Sequence, residues 1–383
     1  MPSLRPTLAE IDLQALRYNL QQVRRLIGPE RELLAVVKAD AYGHGAVEVG
    51  RVLAEEKVRY FGVATVEEGI ELRKAGIHAS MTVLGGVLPE QNHLLLEWNL
   101  TPIIYYLAWA ERLSQMARKL GQEIAVHVKV DTGMGRLGLA VDEAFDVIPK
   151  MARLPGLRIE GVLSHFADAD LEDKAFTQGQ LNHCLALQEH LSGEGIQLPF
   201  WHLSNSAAVM DFEPALFNMV RPGIMLYGYM PSLTFPGTVE VRPVLSWRTR
   251  IIHLKEVPPG TPLSYGRTFV TRRKSRIATL PVGYADGYSR QLSNQAEVLV
   301  HGRRAPVVGR VTMDMILVDV THIPDIRLED SVTLIGEDGG DRISAWDLAR
   351  WSDTIAYEVL CGIGRRVPRV YCQGDDSKAS RGT

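Results

Sequence analysis

Cysteine is scarce in this chain: 383 residues carry three, Cys184, Cys361 and Cys372. The number is odd and no pair has Cys-x-x-Cys spacing, so neither a disulfide framework nor a zinc site is expected. Net charge is scarce as well. The 42 Lys and Arg nearly cancel the 45 Asp and Glu, leaving −3. That balance gives no general field for steering nucleic acid or an anionic membrane surface. No segment reaches the roughly 18 consecutive apolar residues that a membrane span requires. The opening Met1–Thr7 has no apolar core of signal-peptide length. Solenoid repeats and low-complexity tracts are missing too. These absences together predict a cytoplasmic protein.

What is present is ordinary globular composition, 46% hydrophobic and 23% charged. At about 150 residues per domain, the length predicts one large domain and a smaller one. A helix is expected from Asp12 to Ile27, with Asp12 as N-cap and Leu13, Leu16, Leu20, Val23 and Ile27 on one face. Short apolar runs follow at Leu33–Lys38, Tyr60–Val66, Met81–Gly86, Thr101–Tyr106, Ile124–Val130, Arg158–Phe166, Phe200–Ser206 and Met219–Leu226. Amphipathic stretches separate them, among them Ala46–Glu56, Glu67–Ala75, Ala108–Leu120, Val141–Met151 and Glu172–Leu191. Near-continuous apolar strands between helices imply a parallel sheet covered on both faces. Eight such units in about 190 residues fit a (β/α)8 TIM barrel, with an open doubly wound sheet as the competitor.

Pro231, Pro236, Gly237 and Pro243 punctuate a linker, which divides the chain into a barrel domain over 1–235 and a mostly β domain over 236–383. The second domain is expected to hold strands at Trp247–Val257, Arg276–Val282, Ala296–His301, Ala305–Val311, Met315–Thr321 and Ser331–Ile335, and one helix near Ser344–Trp351. The polar tail Gly374–Thr383 reads as frayed.

Active residues of such a barrel sit at the C-terminal ends of its strands. Those ends carry Lys38, Lys129 with Asp131 and Arg136, His165, Asn205 with Ser206, and Arg221 with Gly223 and Ile224. A lysine closing an apolar strand loses hydration, which favours the free amine that Schiff-base chemistry needs. By itself, such a lysine is more often one that snorkels to solvent. Its context changes that balance. Ala35–Gly45 reads AVVKADAYGHG and resembles the pyridoxal-phosphate lysine motif of alanine racemases. Val130–Gly138 (VDTGMGRLG), Arg221–Gly228 (RPGIMLYG), Leu263–Thr268 (LSYGRT), Pro281–Tyr288 (PVGYADGY), Gly309–Asp314 (GRVTMD) and Val367–Val370 (VPRV) resemble further segments of that family, in the same order.

The resemblance implies a barrel with a C-terminal β domain, a homodimer with shared active sites, and pyridoxal 5'-phosphate bound covalently to Lys38. It implies two bases: Lys38 for the α-proton of D-alanine and Tyr265, supplied by the partner subunit, for that of L-alanine. By resemblance Arg221 faces the pyridine nitrogen and His165 bonds to it. Ser206, Gly223, Ile224 and Tyr42 hold the phosphate, beside Asn205. Arg136 and the backbone of Met313 meet the substrate carboxylate, Tyr284 narrows the entrance, and Lys129 matches a lysine that many members carry as a carbamate. Two positions depart from the pattern. Arg365 stands where many members have tyrosine, and Thr312 where some have cysteine.

The run Gly133–Gly138 also fits the dinucleotide fingerprint G-x-G-x-x-G, but it lies mid-chain and spacing is its whole signal. A barrel-type amino acid decarboxylase and a pyridoxal-phosphate carrier compete from outside the racemases. A racemase of serine or broader specificity is the nearest rival.

Overall fold

In the computed structural model, residues 5–235, 237 and 239–373 are described. The first four residues, Pro236 of the expected linker, Thr238 and the expected frayed tail Gly374–Thr383 lie outside them. The chain forms two compact units. One comprises Arg17–Ala41 and Ala46–Arg242; the other gathers the described residues up to Leu16, Tyr42–Gly45 and those from Pro243 onward.

The first unit is a nearly closed barrel of eight parallel strands. They are Glu32–Val36, Tyr60–Val63, Ser80–Val83, Leu100–Ile104, Ile124–Asp131, Leu157–Leu163, Phe200–His202 and Met219–Val220. Neighbours follow chain order, and the last strand returns to the first through Met219↔Glu32 and Val220↔Leu33. This order removes the doubly wound alternative, whose strand order reverses midway. Between the seventh and eighth strands there is no ladder. The gap is bridged by Arg221 N–H to the Ser204 carbonyl and Trp201 N–H to the Asn218 side chain, both 2.8 Å. Helices Ala46–Glu55, Val66–Lys74, Asn92–Glu97, Leu107–Lys119, Val141–Ala152, Ala175–Gly193 and Ser206–Asp211 follow successive strands. No described helix is long and apolar enough to cross a membrane.

The second unit is mostly β. Its main sheet runs Arg303–Pro306, Glu297–Val300, Ser331–Asp338, Leu245–Arg250, Leu8–Asp12, Arg369–Cys372 in spatial order. A three-stranded sheet joins His253–Val257, Ser275–Leu280 and Ile316–Asp319. The expected single strand Trp247–Val257 is therefore two strands in different sheets, broken at Ile251 and Ile252. The expected helix is found at Ala345–Trp351, capped by Ser344, and a second, Ala356–Gly362, follows it. Asp12 caps the helix Leu13–Ile27 by accepting from Gln14 N–H at 2.8 Å and Ala15 N–H at 3.0 Å. The stripe Leu13, Leu16, Leu20, Val23 and Ile27 is buried, as its 3.6-residue spacing predicts.

Candidate active site

In the barrel unit, the fifth strand reads Ile-Ala-Val-His-Val-Lys-Val-Asp. Alternation puts His127, Lys129 and Asp131 on one face and Val126, Val128 and Val130 on the other. Lys129 is buried, at 7% exposure. Burial, with Arg221 and Arg136 nearby, pushes its amine well below the usual lysine value. Among the described residues no hydrogen bond or ion pair engages its Nζ. Past the strand, the Asp131 carboxylate accepts the N–H groups of Gly133 and Gly135 (3.0 Å each) and Arg136 (2.9 Å). Burial works against the carboxylate, but these donors hold its pKa below the usual range. The glycine run is thus a loop closed on a carboxylate, and the next helix begins only at Val141. A dinucleotide fingerprint needs the glycines to open the helix.

Arg221 is the buried centre of the group, at 5% exposure. Its guanidinium donates to the carbonyls of Ser164 (2.6 Å), Leu203 (3.1 Å) and His202, and to His202 Nδ1 at 3.0 Å. His165 Nδ1 lies 3.4 Å from Nη2. Burial pulls the Arg221 pKa down to about 10, which leaves it a cation at neutral pH. Burial and the charges of Arg221, Lys129, Arg136 and Lys38 push His165 well below the usual histidine value, so its ring is neutral. Lys38 follows the first strand directly, after the buried Val37, whose N–H bonds the Gly62 carbonyl at 2.9 Å. The residues after it, Ala39 to Tyr42, all have φ of +53° or +54°: a left-handed turn without a glycine. Such a turn costs roughly 1–2 kcal/mol per residue. Ala39 N–H to Glu68 and Ala46 N–H to Asp40, both 2.7 Å, hold its barrel side in place.

Asn205 caps the short helix Ser206–Asp211 by accepting from Ala208 N–H at 3.1 Å. Ser206 Oγ accepts from the N–H groups of Gly223 (2.9 Å) and Met225 (3.4 Å), which brings the ends of the seventh and eighth strands together. Ile224 opens the turn Ile224–Tyr227, and the Tyr227 hydroxyl donates to the Val36 carbonyl at 2.9 Å. Lys38, Lys129, Arg136, His165, Asn205, Ser206, Arg221, Gly223 and Ile224 thus all fall at the C-terminal ends of barrel strands.

The remaining expected residues lie in the β unit. Tyr42 is buried, its ring 6.1 Å from that of Tyr357, and burial raises its phenol far above the usual value. Tyr265 sits on the connection of the hairpin Pro262–Leu263/Phe269–Val270, between Ser264 (φ +60°) and Gly266 (φ +71°). It is 72% exposed. Ser264 Oγ ties that connection to the Arg310 carbonyl at 2.6 Å. Tyr284 N–H bonds the Thr312 carbonyl and Ala285 N–H the Met313 carbonyl, both 3.0 Å. A Cβ on Gly283 would lie 2.3 Å from the Thr312 oxygen, so only glycine allows this approach. Tyr284 and Met313 are therefore neighbours, and both are exposed. Arg366 pairs with Asp314 at 2.7 Å and with the fully buried Asp286 at 3.4 Å. Arg365 is exposed and has no polar partner among the described residues.

Sequence reasoning did not single out His127 or His202, both fully enclosed. The signal was present: period-two alternation places a polar residue two positions before Lys129, inside an otherwise apolar strand. Burial, Arg221 and Arg158 push His127 to about 3, and burial, Arg221, His127 and Lys129 push His202 well below its usual value. Together with His165, these rings are neutral when folded and take protons when unfolded. Their folded pKa values are depressed, so the stability they support is complete above the unfolded value of about 6.5 and falls as pH drops below it. Each contributes about 1.4 kcal/mol per pH unit there. The melting temperature is expected to fall more steeply with pH from 6.5 to 5, before carboxylates titrate, than from 8 to 7, where the depressed Lys129 amine acts without the three rings. A melting temperature level down to pH 5 would show that these rings are not held neutral.

Residues 11–231 match the family model for the N-terminal domain of alanine racemase, and 244–371 that for its C-terminal domain. The alanine racemase of Halothermothrix orenii is 51% identical over 367 residues, 96% of this chain and 97% of that one. The structure of alanine racemase from Clostridium difficile 630 superposes with a TM-score of 0.93 at 40% identity, covering 97% of each chain. A crystal structure of alanine racemase from Bartonella henselae with covalently bound pyridoxal phosphate matches at a TM-score of 0.86 and 28% identity, over 96% of this chain and 99% of that one.

Proposed function

Because the chain belongs to the alanine racemase family of isomerases, we propose that it interconverts L- and D-alanine with two bases, Lys38 and Tyr265, on opposite faces of a bound pyridoxal 5'-phosphate. The observation that carries the reading is Arg221: a buried cation with no carboxylate in ion-pair distance among the described residues. A guanidinium donates and never accepts, so it suits the lone pair of an unprotonated ring nitrogen. Barrels of this kind commonly bind phosphate after strands seven and eight, where Asn205, Ser206, Gly223 and Ile224 come together. By resemblance Tyr42 completes the phosphate contacts. The exposed Arg365 leaves that corner without the phenol many relatives have.

When bound, pyridoxal phosphate supplies an electron-withdrawing ring that acidifies the substrate's α-proton. The side chains do the rest. Lys38 holds the cofactor through Nζ and exchanges the α-proton on the D-alanine side. Tyr265 holds or releases a proton at its hydroxyl on the L-alanine side. Racemisation needs a donor on the face opposite the acceptor, and each positioned group contributes roughly 10²–10⁴-fold. The 72% exposure of Tyr265 supports its delivery to the barrel of a second copy, in a homodimer with shared active sites. His165 links Arg221 to that tyrosine. Arg136 and the Met313 backbone bind the substrate carboxylate, and Tyr284 restricts entry to small side chains. Lys129, whose amine burial makes easier to deprotonate, can add carbon dioxide and release a proton to give a carbamate that holds Arg136. The product D-alanine serves peptidoglycan synthesis, or the enzyme works in alanine catabolism, in the cytoplasm.

Circular dichroism of L-alanine, L-serine and L-lysine incubated with the holoenzyme tests this reading. Optical activity is expected to decay fastest with alanine. Faster loss with serine would move the assignment to the serine or broad-range rival, and no loss with any of them would refute it.

A further inference from the structure

The lumen of a (β/α)8 barrel is usually filled by branched apolar side chains. Here part of it is polar, and the polar groups form a line. Arg221 Nη1 lies 3.0 Å from His202 Nδ1. His202 Nε2 lies 2.8 Å from His127 Nδ1. His127 Nε2 faces Glu160 Oε2 at 3.8 Å, a charge–dipole contact rather than a hydrogen bond. Glu160 Oε1 accepts from Arg158, which also donates to Glu123, each at 2.5 Å. Arg158 and Glu123 are exposed, so the line leads from the buried guanidinium to the surface.

Direction follows from donor chemistry. Arginine has no acceptor, so His202 Nδ1 must accept and its proton sits on Nε2. That N–H points at His127 Nδ1, which must accept in turn and carry its own proton on Nε2, toward Glu160. Both lone pairs therefore point back toward Arg221. The chain is built to allow this. The rings meet edge to face, 4.8 Å apart at 84°, and His127 stacks on Phe200. A Cβ on Gly161 would come within 2.9 Å of His127 Nδ1, so the sixth strand gives way at that position.

We infer that His202, His127 and Glu160 form a relay through the barrel lumen that positions Arg221, and that His127 and Glu160 are positioning residues although neither lies among the strand ends. The carboxylate absent from Arg221 itself is supplied at a distance. Glu160 orients two imidazole dipoles whose acceptor ends face the guanidinium, which stabilises its charge and fixes its plane. A carboxylate placed directly on Arg221 would instead draw it away from the ring nitrogen. The inference rests on the proposed role of Arg221.

Ring-15N-histidine spectra of the holoenzyme test it, with racemisation kinetics alongside. His127 and His202 should both be neutral Nε2–H tautomers from pH 6 to 8. His127→Asn keeps an acceptor where Nδ1 was and should leave the His202 signals in place, with kcat within about threefold. His127→Phe keeps the shape and removes the acceptor; the His202 signals should move, and kcat should fall about tenfold with KM within twofold, in the range of supporting-shell losses. Glu160→Gln should shift the His127 signals and lower kcat by a smaller factor. An Nδ1–H tautomer or a charged ring at either position overturns the relay. So does a His127→Phe protein that matches His127→Asn. If His127→Phe fails to fold, the wild-type tautomers and the other two variants still decide. Expected tautomers in an enzyme that racemises nothing would refute the functional reading and leave the relay; racemisation with reversed tautomers would do the opposite.

Discussion

Lys38→Ala is expected to remove alanine racemisation almost completely, by on the order of 10⁴-fold or more, because one side chain is assigned both the covalent hold on the cofactor and a proton transfer. The fold should survive. The strand before Lys38 is hydrogen-bonded on both edges, to Tyr60–Val63 and to Met219–Val220, and the buried Val37 carries the last main-chain bond. Truncating a half-buried side chain beyond these bonds leaves all of them intact. Far-UV circular dichroism and the melting temperature should therefore stay close to wild type, while visible absorption of the purified protein loses its bound-cofactor band. A Lys38→Ala protein that kept more than a few per cent of the racemisation rate would transfer both roles to another group.

Tyr265→Ala should produce a loss that depends on the direction of reaction. In solvent deuterium, α-proton exchange from L-alanine is expected to fall by roughly 10²–10⁴-fold, and exchange from D-alanine by much less, because Lys38 still serves that face. Stability should barely change, since a side chain 72% exposed gives up little packing and its connection is held through Ser264 and Arg310. Equal losses for both enantiomers would point to a positioning role for the tyrosine or to a single base for both. The experiment needs no assumption about the dimer. Mixing Lys38→Ala with Tyr265→Ala protein adds one: if the sites are shared, hybrid dimers should regain part of the activity that each parent lacks.

Much of the fold was legible because the physics of a parallel barrel is local in sequence. Each strand is covered on both faces and reads as a short apolar run, and helices such as Leu107–Lys119 and Val141–Ala152 show a 3.6-residue stripe. All eight expected runs overlap a barrel strand, most with a boundary displaced by a residue or more. Non-local pairing was not legible. Leu8–Asp12 is a five-residue alternating segment whose partners, Leu245–Arg250 and Arg369–Cys372, lie more than two hundred residues away. The left-handed turn Ala39–Tyr42 was invisible because alanine, aspartate and tyrosine give no hint of positive φ. Among candidate site residues, the strand-end lysines, arginines and serine stood out because polar groups at the close of apolar runs are conspicuous. His127 and His202 lay inside the runs, where single polar residues are easily read as tolerated core positions. Only the three-dimensional line from Arg221 to Glu160 gave them a role.

The central claim is that Lys38 is the residue that holds the cofactor and works on the substrate. Borohydride reduction of the holoenzyme, followed by proteolysis and peptide mass measurement, tests it most directly. The account predicts one reduced pyridoxyl phosphate adduct per chain, on the peptide containing Lys38, with loss of activity in proportion to labelling. An adduct on Lys129 or any other lysine, or full activity after complete reduction, would contradict it.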